Sequence, residues 1–335
     1  MSQKKIAAYF GVSVATVSKA LNDSHDISIG LKKKIQRYAE KIGYKKNYSA
    51  LALRKKTSVK NIAVIIPNFY NSFFNEVIKG INDASRDYGY NTMVLETNDS
   101  VKRERELLDY LLTGIVDGLI ISPSSETFTK DQRKHLIGFN ERIPIVLFDK
   151  ILDEIECGKI TNDNKNCSYR ATQKLISAGC RKIGLMSDMY KLNIAKERTS
   201  GFKQAILEAG LSLNKKDLFF YSSDLFYNHQ LEQFLSTGYD GLFCMEENSL
   251  INVKNFIART KSKRFDDLKI VGYYSRKAYR KDLISEVEDN YIYVDQKGHK
   301  MGQESLKLLL KRFDIKYEES RNELLIVDSK IQNFQ

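Results

Sequence analysis

From residue 60 onward, short apolar runs alternate with amphipathic stretches of helical spacing. The apolar runs lie at 62–66, 92–95, 119–122 and 145–148, and again at 183–186, 218–221, 241–245 and 270–273. The stretches between them include 74–87, 102–113, 168–178 and 196–209. Strands that alternate with helices are typical of parallel sheets with right-handed crossovers. Two such series, near 60–155 and 160–285, predict two similar α/β lobes that bind a ligand at the carboxyl ends of their strands.

Positive charge is concentrated at the amino end of this 335-residue chain. Residues 1–60 hold 14 Lys and Arg against 3 Asp and Glu, whereas the other 275 residues hold 40 against 39. The basic segment also has helical apolar periodicity, which argues against a mere solubilising tail. A compact basic module on a nearly neutral body is typical of proteins that bind a polyanion such as DNA.

The basic segment has the spacing of three short helices. Gly11 predicts a tight turn between the first two, Ser13 a cap for the second, and Ser28 a cap for the third. The residues expected to face inward are Ile6, Ala7, Phe10, Val17, Ala20, Leu21, Leu31, Ile35, Tyr38, Ala39 and Ile42. Helices joined in this way form a helix-turn-helix unit.

The outward face of the second helix differs from ordinary Glu/Lys surface. It carries Val14, Ala15, Ser18 and Lys19. Small side chains permit close approach to a DNA groove, hydroxyls can contact phosphates or base edges, and a lysine can contact guanine or phosphate. We therefore predict that this helix reads the major groove.

Several longer motifs resemble one known family over almost the whole chain. They are "IAAYFGVSVATVSKALN", "IGYKKNYSALALRKKTSVKNIAVIIPNFYNSFFNEVIKGI", "DGLIISPSS", "PIVLFDK", "ATQKLISAGCRKIGLM", "ERTSGFKQAILEAGL" and "KIVGYYS". Together they resemble the LacI/GalR (lactose-repressor) family of bacterial transcription regulators. The resemblance implies an all-α helix-turn-helix headpiece (1–46), a hinge helix and linker (47–58), and a periplasmic-binding-protein-like α/β core (59–335). Lobe 1 of the core is expected at about 59–158 and 291–318, and lobe 2 at about 159–290 and 319–335.

The same resemblance implies a set of DNA-binding positions. Leu53 matches a hinge leucine that wedges into the central step of the minor groove, a contact that bends the duplex. Tyr48 and Leu51 depart from the alanine and arginine often found in this hinge helix. The expected DNA-binding residues are Val14, Ala15, Thr16, Ser18, Lys19, Asn22, Ser28, Tyr44, Asn47, Ala50, Leu53 and Arg54.

For the cleft, the resemblance implies ligand contacts from Phe73, Asp149, Arg198, Glu246 and Tyr274. A carboxylate such as Asp149 accepts hydroxyl donors, and the fork of Arg198 clamps hydroxyls or a carboxylate. Phe73 and Phe74 are either an aromatic wall or core residues. The departures cluster here, since Ser72 replaces a proline, Met245-Glu246-Glu247 replaces "AND", and Tyr274 replaces an aspartate.

Other functional classes receive little support. No phosphate-binding loop, G-x-S-x-G or G-x-G-x-x-G motif is present, and the four histidines are dispersed. Cys157, Cys167, Cys180 and Cys244 lack metal-like spacing and are expected to be unpaired thiols. No apolar segment follows the basic start. We expect no enzyme activity, no cofactor, no metal and a cytoplasmic, nucleoid-associated location.

These observations predict a transcriptional regulator that acts as a repressor. A homodimer would bind a pseudo-palindromic operator, and a small molecule in the cleft, a sugar or a sugar derivative, would control it. One alternative is a catabolite-control regulator with a phosphoprotein corepressor. Another, of a different class, is a sugar-binding transport protein.

Overall fold

The computed structural model describes residues 3–21, 26–42, 59–129, 132–189, 192–221, 227–274, 290–313 and 322–333. The chain divides into two compact units, Met1–Val59 and Lys60–Gln335. Six predicted DNA-binding residues lie outside the described residues, namely Asn22, Tyr44, Asn47, Ala50, Leu53 and Arg54. Their roles stay predictions, and so does the boundary between headpiece and hinge near residue 46.

The first unit contains three helices around a small apolar core. They are α1 (Gln3–Phe10), α2 (Val14–Leu21) and α3 (Ile29–Lys41). Ile6, Val17 and Ile35, one from each helix, are fully buried in this core. Gly11 joins α1 to α2 with φ +62°, a left-handed conformation that glycine adopts without steric cost. The predicted helix-turn-helix geometry is therefore confirmed.

The two predicted helix caps have different outcomes. Thr16 N donates to Ser13 Oγ at 3.0 Å, so Ser13 caps α2 as predicted. Ser28 occupies the N-cap position of α3, as predicted, but its side chain makes no capping hydrogen bond. The backbone carbonyl of Ser28 accepts from Lys32 N at 3.0 Å, and the helix begins there without help from the hydroxyl.

The second unit alternates strands and helices along the chain. In order, its elements are β1 (Asn61–Ile66), α4 (Ser72–Asp87), β2 (Asn91–Glu96), α5 (Val101–Leu111), β3 (Gly118–Ile121), α6 (Lys134–Asn140), β4 (Ile145–Phe148), β5 (Gly158–Asn162), α7 (Asn164–Ser177), β6 (Ile183–Ser187), α8 (Asn193–Glu208), β7 (Leu218–Phe220), α9 (Tyr227–Leu235), β8 (Gly241–Cys244), α10 (Glu247–Thr260), β9 (Lys269–Tyr273), β10 (Tyr291–Asp295), α11 (Gly298–Lys311), β11 (Leu324–Val327) and β12 (Lys330–Asn333).

These strands form two six-stranded sheets. The first has the order β11-β5-β4-β3-β1-β2 and is parallel throughout. The second has the order β12-β10-β9-β8-β6-β7 and is parallel except for β12, which pairs antiparallel with β10. Apolar clusters cover both faces of each sheet, which explains why the strands read as continuous apolar runs. The two predicted α/β lobes are confirmed.

The lobe boundaries differ from the prediction. β5 and β11 lie in the first sheet, although residues 159–162 and 324–327 were expected in lobe 2; β10 lies in the second sheet, although it was expected in lobe 1. The chain therefore crosses between the lobes after Asn162, after Asp295 and after Val327. An apolar run predicts a strand but does not say which open sheet edge the strand extends.

One buried side chain connects the three crossings. Asn162 Nδ2 donates to the carbonyl oxygens of Gln296, at 2.9 Å, and Val327, at 2.8 Å. Gln296 Nε2 returns a hydrogen bond to Asn162 Oδ1 at 3.2 Å. Residues 161–164 form the end of β5 and the start of α7, with the crossing between them.

Close helix packing stabilises the first lobe. A Cβ at Gly302 of α11 would lie 2.1 Å from the backbone oxygen of Val77 on α4, so glycine permits the contact. The four cysteines are free, as predicted, and all are buried; burial raises the pKa of Cys157 and Cys180 to about 11. None of the described helices combines the length and the apolar character needed to cross a membrane.

Candidate functional site

Helix α2 of the first unit presents a surface of small side chains. Val17 and Ala20 are buried against the other helices, while Val14, Ala15 and Lys19 are exposed. Lys19 Nζ lies 3.2 Å from Asp26 Oδ2, and more than half of each side chain is exposed. Such a surface ion pair contributes little, so the lysine can exchange it for another anion.

The remaining described positions of the predicted DNA set lie on or next to this surface. Ser18 and Thr16 are half-buried, and the Thr16 hydroxyl lies 2.9 Å from that of Ser13. Ser28 is exposed at the start of α3. Exposed cations on the neighbouring helices add positive charge to the unit, namely Lys4, Lys5, Lys33, Lys34, Arg37 and Lys41.

A second candidate site is a cleft of about 1120 Å³ in the second unit. Its walls come from loops and helix starts that follow β1, β2, β3 and β4 of the first sheet and β6, β8 and β9 of the second. The structure brings together all five residues predicted to contact a ligand, because each lines this cleft: Phe73, Asp149, Arg198, Glu246 and Tyr274.

Arg198 is held rigidly at the floor of the cleft. It lies on α8 and is 3% exposed. Its Nε donates to Asn164 Oδ1 at 3.0 Å, and Nη1 donates to the Met245 carbonyl. The guanidinium carbon lies 3.6 Å from the centroid of the Tyr273 ring, a cation–π contact. These contacts fix the orientation of a buried positive charge.

Glu246 is a buried carboxyl group beside Arg198. It accepts hydrogen bonds from Ser187 Oγ at 2.8 Å, from Asp188 N at 3.1 Å, and from Ser249 Oγ. Burial, and after it the negative charge of Asp188, raises the pKa of Glu246 well above its ordinary value. These hydrogen bonds and Arg198 act in the opposite direction but are weaker.

Asp149 follows β4 in a strained backbone conformation. Its φ is +61°, and Thr161 Oγ1 donates to its carbonyl oxygen at 3.0 Å. A left-handed aspartate costs conformational energy, and such residues are concentrated at functional sites. Burial raises the pKa of Asp149, although Arg198 and Lys150 oppose the shift.

Two further contacts were not predicted from the sequence. Buried Lys150 donates to Asp99 Oδ1 at 3.0 Å and to Ser125 Oγ at 3.4 Å, within the first lobe. Between the lobes, Glu247 accepts from Ser72 N at 2.8 Å and from Ser72 Oγ at 2.5 Å. The position of Asp99 after β2 could have marked it as a cleft residue, but nothing in the sequence indicated Lys150 as its partner.

Aromatic side chains complete the cleft. Phe73 and Phe74 are buried in the core of the first lobe and also line the cleft, so both interpretations of the pair hold. The Tyr274 ring lies 5.4 Å from that of Tyr293.

Among the described residues, no group of three His, Cys, Asp or Glu side chains could hold a metal ion.

Comparisons with known proteins match both units of the chain. The model "Bacterial regulatory proteins, lacI family" matches residues 3–47, and "Periplasmic binding proteins and sugar binding domain of LacI family" matches residues 59–278. The HTH-type transcriptional regulator RegA of Clostridium saccharobutylicum is 26% identical, over 97% of this chain and 96% of RegA. The ribose operon repressor of Haemophilus influenzae is 28% identical, over 81% of each chain. A lac repressor dimer bound to operator and the anti-inducer ONPF shares the fold, with a TM-score of 0.76, 17% identity and coverage of 100% and 98%.

Proposed function

We propose that this chain, which belongs to the LacI family of bacterial regulatory proteins, is a transcriptional repressor whose operator affinity is set by a small molecule in the cleft. One observation carries the proposal. The same chain holds a basic helix-turn-helix unit and an α/β unit whose cleft is lined by fixed polar groups. A transport protein of the same core class would have no use for the first unit.

For DNA, we assign base contacts to the exposed face of α2. The side chains of Val14 and Ala15 suit the methyl group of thymine, and Lys19 suits the acceptors of guanine or a phosphate. Thr16, Ser18 and Ser28 are proposed to position the unit on phosphates. Because symmetric sites are read by symmetric dimers, we infer a homodimer on two half-sites.

For the ligand, the roles follow from the side chains. Asp149 and Glu246 accept hydroxyl donors, Arg198 donates to an oxygen, and Phe73 and Tyr274 supply apolar walls. A ligand that contacts both lobes favours one orientation of the lobes. Its binding then changes operator affinity, and operator binding changes ligand affinity by the same factor. The proposal includes no catalytic step and places the protein with the DNA in the cytoplasm.

The DNA-binding part is tested by selecting duplexes from a random pool with the full-length protein. We expect enrichment of a sequence with two symmetric half-sites. Lys19→Ala should weaken binding to it by about tenfold or more. The matched control is Lys79→Ala, since Lys79 is also an exposed lysine paired with an aspartate, 2.8 Å from Asp83 Oδ2. Equal effects of the two substitutions, or no enriched sequence, would refute the assignment.

A further inference from the structure

Carboxyl groups outnumber cationic groups along the cleft. Among the described residues that line it, seven are acidic and two are basic. The acidic residues are Glu76, Asp99, Glu126, Asp149, Asp188, Glu246 and Glu247, and the basic residues are Lys150 and Arg198. The carboxylates that are ionised in this concave, partly desolvated space attract positive charge and repel anions.

Both cations of the cleft already have acceptors. The Lys150 ammonium bonds Asp99 and Ser125, and Arg198 uses Nε and Nη1 for Asn164 and Met245. The structure gives Arg198 Nη2 no hydrogen bond to a described residue, which leaves this amino group for ligand oxygens. A single free amino group suits hydroxyl oxygens, whereas the full charge of a phosphate favours several cations around it.

The anion-binding position at the start of α4 is also occupied. The first amide groups of a helix attract negative charge. Here Ser72 N donates to the Glu247 carboxylate, and Phe73 N donates to Asn71 Oδ1 at 2.9 Å. The chain therefore supplies its own anion at this helix, and a phosphate or carboxylate on the ligand would be repelled there.

Two carboxyl groups remain available to a ligand. Asp188 is exposed, lines the cleft and accepts from Asn248 Nδ2 at 3.2 Å. Asp149 lies on the opposite lobe, where burial dominates over the two neighbouring cations. The rings of Phe220 and Tyr274 line the same space and can contact either a sugar face or a cation.

We infer that the ligand of this cleft is a polyhydroxylated amine, such as an amino sugar, and not a neutral or phosphorylated sugar. The inference rests on the proposed function and adds the charge of the ligand to it. The ammonium group would lie between Asp149 and Asp188, and a hydroxyl oxygen would accept from Arg198.

The test compares matched sugars on the unaltered full-length protein by thermal shift and titration calorimetry, at near-physiological ionic strength. The probes are glucosamine, galactosamine and mannosamine, each against its neutral parent sugar, its N-acetyl derivative and the 6-phosphate of the parent. We expect at least one amine to bind about tenfold or more tightly than its three counterparts. Equal or tighter binding of a neutral, acetylated or phosphorylated probe, or no binding of any amine, would overturn the inference.

Two variants locate the charge. Asp188→Asn should reduce the preference for the amine over its parent sugar, whereas Glu208→Gln, an exposed carboxyl outside the cleft, should leave it unchanged. An unchanged preference in Asp188→Asn would contradict the placement. The duplex selection described above separates the two proposals, because selective DNA binding without an amine preference refutes only the ligand class.

Discussion

Replacing Glu247 with glutamine should release the contact between the two lobes. The Glu247 carboxylate, 5% exposed, accepts from both the backbone N and the hydroxyl of Ser72, which is 1% exposed. Glutamine keeps one acceptor oxygen for Ser72 N and turns an amide donor toward the Ser72 hydroxyl, which then accepts. Both charge-assisted hydrogen bonds become neutral ones, which together costs about 2 kcal/mol.

The amide hydrogen of Ser72 reports this contact directly. Ser72 is the first residue of α4, where a backbone N–H has no acceptor within the helix, so its protection depends on Glu247. A loss of about 2 kcal/mol corresponds to about 30-fold faster hydrogen exchange at this amide. Exchange would be followed by NMR or by mass spectrometry with single-residue fragmentation.

Glu126→Gln is the matched control for this substitution. Glu126 also lines the cleft and also accepts from a helix-start amide, Val101 N at 3.3 Å, but both groups belong to the first lobe. Its replacement should leave Ser72 exchange unchanged. Unaltered exchange at Ser72 in Glu247→Gln, or the same acceleration in both variants, would refute the reasoning.

Three further predictions concern the cleft and the core. Arg198→Lys keeps the charge but loses the Tyr273 stacking and the Asn164 bond, so the effector response in a gel-shift titration should weaken about tenfold while DNA affinity stays the same; an unchanged response would contradict this. Because the folded-state pKa of Glu246 is raised above its ordinary value, the folded chain binds more protons than the unfolded chain between those two pKa values, so urea unfolding should show stability falling as pH rises through that interval. Glu246→Gln should reduce that slope, and an identical slope would count against the assignment. Gly302→Ala should destabilise the core by about 3 kcal/mol because of the Val77 clash, whereas Gly138→Ala, which meets open space, should not; equal unfolding midpoints would disprove the packing argument.

The first unit was predictable because its local rules agree. Val17 and Ala20 lie on one side of α2, Gly11 supplies a turn that needs positive φ, and Ser13 caps the helix. Each of these signals depends on residues that are at most four positions apart in the sequence. The order of alternating strands and helices in the second unit was predictable for the same reason.

β5 was missed because its polar residues are buried. The strand sequence "GKITN" is mostly polar, because it includes Lys159, Thr161 and Asn162, yet every residue of the strand is buried. The Lys159 ammonium and the Asn162 amide are satisfied by distant partners, namely Asn322 for Lys159 and the two crossing carbonyls for Asn162. A pattern of apolar residues cannot reveal partners that are more than 100 positions away.

The candidate site was predictable only in part. Asp149 and Arg198 follow from the resemblance to a family, and both line the cleft. The pairs Lys150–Asp99 and Ser72–Glu247 are separated by 51 and 175 positions, and no local spacing relates their members. The sequence did mark Ser72 and Glu247 as departures from the family, but their pairing required the folded chain.

The amide of Asn162 has a mechanical consequence. Because one planar group bonds to the backbone at each of the other two crossings, the three segments cannot translate independently of one another. A relative motion of the lobes that keeps these hydrogen bonds would therefore be a rotation about a line near this residue. Under that constraint, ligands of different size would produce rotations of different extent.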